Sequence, residues 1–275
     1  MSEPVYVQLT TRAAQYPPDT AARLSLDADR IVARYTPPGD VDPEMARSAL
    51  LPLLHLVQAE DGYVTPTGIE FCAHRLGLTG AEVTAVATFY SMYRREPTGD
   101  YLVGVCTNTL CAVMGGDAIL EALEDHPGGV DDPITLTHIE CNAACDYAPV
   151  VMVNWEFFDN QTPESARTLL DDLRSGREVV PSRGASLCTF RETERILAGF
   201  PDERPGAVEA GGTAGGPTLA GLRVARALSM TAPTAHEPSD EGAAPLGSTD
   251  AAAAETTKNK PAPAPGESVP PEKGK

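Results

Sequence analysis

Ala46, Leu50, Leu53, Leu54 and Val57 recur three and four positions apart, the spacing that gathers apolar side chains onto one stripe of a helix. Pro52 falls inside that run and predicts a kink, because its ring removes an amide donor and crowds the preceding turn. Upstream, Ser25 or Asp27 is placed to cap a helix that ends before Pro37-Pro38, and Asp42-Pro43 opens the next. Downstream, Thr65-Pro66 starts a helix that closes at Gly77, and Thr79 with Glu82 three residues on forms a capping box for another. The pattern predicts a small helical bundle over residues 25–95, preceded by a loose leader, 1–24, without periodicity.

The period then changes from helical to alternating. Tyr101-Leu-Val-Gly-Val-Cys106 and Ile134-Thr-Leu-Thr-His-Ile-Glu-Cys141 read as strands, with Asp117–Glu124 an amphipathic helix between them. Pro149–Asn154 predicts a third strand and Glu156–Phe158 a fourth, and Thr162-Pro163 caps a helix ending at Gly176. A strand–helix–strand–strand–helix order is that of a thioredoxin-like sheet, here over residues 96–183. The expected class is α+β, a helical bundle followed by a thioredoxin-like domain, and both cysteine loops fall at strand ends.

Composition limits the rest. After an extension at 184–201, residues 202–275 are rich in Ala, Gly, Pro and Thr and poor in large apolar side chains. Such a segment cannot offset its ordering entropy by burial, which predicts a disordered tail. Residues 1–201 hold 29 acidic and 14 basic side chains, a net −15 of the chain's −18. That acidity argues against nucleic acid, whose phosphates it repels, and suits a basic protein partner. No apolar run reaches the ~20 residues of a membrane span, and the N-terminus lacks a secretory layout. The expected location is cytoplasmic, where paired cysteines bind metal more often than they form disulfides.

The chemistry lies in Cys106-x4-Cys111 and Cys141-x3-Cys145, thirty residues apart. Four thiols in two loops suit an iron–sulfur cluster, a zinc ion or disulfides. Neither pair is the tight Cys-x2-Cys knuckle of zinc ribbons, and spacings of four and three suit one iron of a [2Fe–2S] rhomb for each pair. The position where a plant-type ferredoxin has its third cysteine is Met114. His126 and His138 lack the Cys-x-His pairing of a Rieske centre. Thr107, Asn108, Thr109, Asn142, Ala143 and Ala144 are small enough to let backbone N–H groups approach sulfur, which tunes a cluster's potential. A zinc-stabilised, non-redox interaction module stays open as the alternative.

Cys106-x4-Cys111 together with Glu140-Cys141-x-x-Ala144-Cys145-x-x-Ala148-Pro149 resembles the thioredoxin-like [2Fe–2S] E subunits of respiratory NADH:quinone oxidoreductase, complex I, in their actinobacterial wording. Ala87-Thr-Phe-Tyr90, Val150-Val-Met-Val-Asn154 and Leu169-Leu170 extend the resemblance to about Leu26–Ser175. The segment Asp125–Pro133 is shorter than the family's usual turn, and the chain beyond Arg183 exceeds what the family needs. The resemblance implies an electron-transfer subunit, not catalytic alone, with one [2Fe–2S] cluster on Cys106, Cys111, Cys141 and Cys145. It further implies that FMN and NADH belong to a partner, the NADH-binding F subunit, within the peripheral arm of a translocase on the cytoplasmic face. In agreement, the chain shows no Gly-x-Gly-x-x-Gly after a strand. A diaphorase-type subunit of an NAD-linked formate dehydrogenase or hydrogenase is the alternative of the same fold.

Other residues get plainer readings. Cys72 reads as core packing, Cys188 as a spare thiol, and His55 and His74 as packed or surface histidines. Glu140 and Asp146 flank the ligands as tuning charges or solvated surface, while Trp155, Phe157 and Phe158 read as sheet core.

Overall fold

The computed structural model describes residues 15–36, 43–207, 210 and 215–231. The chain divides into two compact units, Met1–Val224 and Ala225–Lys275. Of the second, residues 225–231 are described, beginning with the end of a helix.

The helical part begins earlier than the sequence suggests. Helix α1 runs Pro18–Val32 with a proline in its first turn, where the fixed φ is already helical and the missing N–H has no partner to lose. Leu24, Ala28 and Ile31 form its buried stripe. Asp27 is therefore not a cap: it is buried mid-helix, bonded to Arg195 at 2.8 Å and to Arg30 at 3.3 Å. The leader before residue 15 lies outside the described residues.

Pro52 does not fall in a helix interior as expected, because the run is divided ahead of it. A short α2, Pro43–Ala46, passes into a 3-10 turn at Arg47–Ala49 before α3 starts at Leu50 and runs to Asp61. Pro52 thus sits in the first turn of α3, where an absent donor costs little. Helix α3 is buried on nearly every side, from Leu50 through Gln58, and forms the axis of the bundle. Helix α4, Pro66–Leu76, and helix α5, Gly80–Phe89, have the predicted starts. Thr65 accepts from the Gly68 N–H at 2.9 Å, and Thr79 and Glu82 make the reciprocal capping box. Cys72 is fully buried in this core, where burial pushes its thiol pKa well up.

The α/β part is a four-stranded sheet in the order β2-β1-β3-β4. Strand β1, Tyr101–Cys106, pairs in parallel with β2, Ile134–Ile139, and antiparallel with β3, Val151–Val153, which pairs with β4, Glu156–Phe158. Between β1 and β2 lie α6, Thr109–Val113, and α7, Gly116–Glu124; α8, Pro163–Arg174, follows β4. Alternation decides the faces. Val103, Val105, Val151 and Val153 join Ile119, Leu123, Leu169 and Leu170 of α7 and α8 in one core, while Cys106 and Met152 belong to a second cluster. Asn154 begins the β3–β4 turn with φ +48° and is buried. Its amide accepts from Leu102 N–H and donates to the carbonyls of Asp100 and Cys188.

The extension at 184–201 is ordered structure. Thr189 and Glu192 form a capping box for α9, Phe190–Leu197, which returns to pack along α3. Phe190 and Glu194 are fully buried there, and His55 Nδ1 lies 2.6 Å from Glu194 Oε2. Within the segment read as a disordered tail, helix α10 occupies Ala220–Ala227 and buries no residue. Residues 208–209, 211–214 and 232–275 of that tail lie outside the described residues. No helix among the described residues is long and apolar enough to cross a membrane.

Candidate metal centre

Parallel pairing of β1 with β2 puts the C-terminal ends of both strands at one edge of the domain. Cys106 is opposite Ile139 in the register, so Cys141, two residues past Ile139, leaves the sheet beside the first cysteine loop. The antiparallel strand β3 starts at the same end, because Val151 pairs with Val105. The chain between Cys141 and Val151 must therefore turn back at this edge, and Cys145 stands at the head of that turn, a 3-10 segment at Cys145–Tyr147.

The first loop is held from within. The Cys106 N–H donates to the Val150 carbonyl at 3.1 Å. Asn108 occupies the N-cap of α6, which carries Cys111. Gly115, at φ +110°, reverses the chain into α7, and Gly116 packs so closely on the carbonyls of Cys106 and Cys111 that a β-carbon has no room. The close approach requires glycine at 116, and the left-handed φ favours it at 115. In the second loop, Ala143 at φ +54° turns its N–H toward Cys141 Sγ at 3.4 Å, the kind of amide-to-sulfur contact expected of these small residues. A hydrogen bond joins the loops: Asn108 Nδ2 donates to Glu140 Oε2 at 2.6 Å.

The four sulfurs form an inner and an outer pair. Cys106 and Cys111 are buried in an apolar cluster with Ala144, Ala148, Val150 and Met152. Cys141 and Cys145 are exposed, with their Sγ atoms 3.7 Å apart. Two thiolates on one tetrahedral metal at bond lengths of about 2.3 Å stand about 3.8 Å apart, so the outer pair has the spacing of a shared metal. Among the described residues, no three His, Cys, Asp or Glu side chains close around a single ion position.

The electrostatics suit a cationic centre. Burial, reinforced by a hydrogen bond to Cys106, pushes the Cys111 thiol up to about 11. The hydrogen bond to Cys141 is the first cause that raises Cys145, and the neighbouring thiols add to it. The Cys111 and Cys145 thiols are thus held protonated, whereas a bound metal cation takes its thiols as thiolates outright. The donor set thus fits a sulfur-liganded metal group.

The other singled-out residues are elsewhere. His126 Nε2 is 2.7 Å from Asp171 Oδ1 on α8, His138 is exposed on β2 and His74 exposed on α4. Cys188 is half-buried, 3.2 Å from the Thr193 hydroxyl. Asp146 is exposed and accepts from Thr218, and Met114 is exposed at the end of α6. Trp155 belongs to the β3–β4 turn rather than to a strand. The ties from Asn108 to Glu140 and from His55 to Glu194 join residues far apart in sequence, and no local motif announces them.

Comparison with known proteins identifies the family. The family model described as thioredoxin-like [2Fe–2S] ferredoxin matches residues 28–174. The proteins named as the E subunit of NADH-quinone oxidoreductase in Mycobacterium bovis and Mycobacterium tuberculosis are 66% identical over 224 residues, 79% of this chain and 85% of theirs. The protein of that name from Rickettsia bellii is 36% identical, with 54% of this chain covering 89% of it. A solved NAD+-reducing [NiFe]-hydrogenase matches 46% of this chain and 23% of its own at 18% identity, with a TM-score of 0.41.

Proposed function

Since this chain belongs to the thioredoxin-like [2Fe–2S] ferredoxin family, we propose that Cys106, Cys111, Cys141 and Cys145 hold one [2Fe–2S] cluster and that the chain is the electron-transferring E subunit of an NADH:quinone oxidoreductase. The carrying observation is the convergence of two cysteine loops at one sheet edge, an inner pair buried and an outer pair 3.7 Å apart. The names of the 66% identical mycobacterial relatives support the quinone-linked assembly over a hydrogenase- or formate-linked diaphorase.

When bound, such a cluster accepts and releases one electron at a time. The protein's part is ligation and tuning. Cys106 and Cys111 hold one side of the group within apolar surroundings. The outer pair keeps the other side near the surface, where an electron can cross to a partner. The Ala143 amide stabilises charge on Cys141 sulfur. Glu140 and Asp146 place negative charge beside the outer pair, which opposes reduction. In this reading FMN and NADH sit on the NADH-binding F subunit, and the chain works in the cytoplasmic peripheral arm.

Co-expression with the NADH-binding partner tests the assignment. A stable complex whose cluster signal develops on NADH addition supports it. A cluster-loaded chain that neither binds that partner nor is reduced through it contradicts it.

A further inference from the structure

We infer that Arg183, beyond the family-matched segment, is a positioning residue for the outer cysteine pair, an inference that rests on Cys141 and Cys145 being cluster ligands. The turn that carries Cys145 lies outside the sheet ladder. The turn itself is held by a local bond from Tyr147 N–H to the Ala144 carbonyl at 3.0 Å and by Asn160 N–H donating to the Tyr147 carbonyl at 2.9 Å. Tyr147, the last residue of that turn, meets a guanidinium that is itself fixed.

The segment at Ser182-Arg183 pairs with β4. Ser182 N–H donates to the Phe157 carbonyl at 2.8 Å, its hydroxyl accepts from Asp159 N–H at 2.8 Å, and Arg183 bridges Phe157. The Arg183 side chain then lies over two rings, with its central carbon 4.3 Å from the Phe157 centroid and 5.1 Å from that of Tyr147. Asp159 Oδ1 holds Nη2 at 3.0 Å, and both side chains are largely buried. A planar, permanently charged group can stack on rings and meet a carboxylate at once; an ammonium cannot reproduce the plane. The order Phe157–Arg183–Tyr147 thus ties a sheet edge to the turn that begins at Cys145. A later stretch of the chain, within the segment read as the tail, reaches the same turn. Gly215 packs against the Tyr147 hydroxyl with no room for a β-carbon, and Thr218 donates to Asp146.

The test uses the full chain purified anaerobically, as wild type, Arg183→Lys and Arg183→Met. Iron release to a chelator and the midpoint potential are followed. Arg183→Lys keeps the charge beside Asp159 but loses the stack, so iron leaves about tenfold faster at an unchanged potential. Arg183→Met loses both, so the same acceleration comes with a lower potential, because the Asp159 carboxylate is left uncompensated. Wild-type release from Arg183→Lys overturns the inference, and that variant decides the matter if Arg183→Met does not fold. Wild-type protein that takes up no iron and sulfide overturns the ligand reading itself.

Discussion

Asn108 Nδ2 and Glu140 Oε2 are 2.6 Å apart, a charge-assisted bond between the loop that follows Cys106 and the residue that precedes Cys141. It fixes the separation of the two ligand loops at the point where neither belongs to the sheet. Asn108→Ala or Glu140→Ala should cost less than about 1 kcal/mol of global stability, because the pair is exposed. Either should still speed cluster loss severalfold, measured as bleaching of the visible spectrum in chelator. Bleaching at the wild-type rate would remove the tie from the account.

Replacing Cys111 or Cys141 with Ala should abolish stable cluster binding and loosen the α/β part, because metal ligation is coupled to folding. Iron content and hydrogen exchange over β1 and β2 measure this. A variant with full iron and an unchanged spectrum would refute the ligand assignment.

The His55–Glu194 contact pins α9 onto α3, with Glu194 fully buried. Glu194→Ala leaves the imidazole without its partner and opens a cavity, at a cost of about 3 kcal/mol. Urea unfolding should show that loss, while a change below about 0.5 kcal/mol would mean that the contact does not hold α9 in place.

The hydrogen bond from His126, then the charges of His126 and Arg174, hold the Asp171 carboxyl below its ordinary range. A depressed carboxylate contributes stability above its unfolded pKa and loses that contribution as pH falls through the folded one. Wild-type protein should therefore lose thermal stability more steeply below about pH 4 than His126→Ala. Parallel acid limbs would show that the pair contributes nothing.

Much of this was legible because local rules had no competitor. The capping box at Thr79, the cap at Thr162, the Gly77 stop and the strand-like run Tyr101–Cys106 all decide structure within a few residues. The cysteine spacing is equally local, and the parallel register then brings the two loops together. What escaped depends on distant partners. Asp27 looked like a cap because Arg195, which holds it inside α1, lies 168 residues away. Helix α9 did announce itself in Thr189-x-x-Glu192, but its reason to fold is the face of α3, which composition does not display. Arg183 carries no motif at all, since its role comes from two rings on other elements.

The most direct test is anaerobic iron, acid-labile sulfide and zinc analysis of the purified chain, with EPR after dithionite reduction. The account predicts about two irons and two sulfides per chain, with a rhombic signal that appears on one-electron reduction. About one zinc per chain, without sulfide, in protein never exposed to oxygen would contradict electron transfer and leave a zinc-stabilised interaction module.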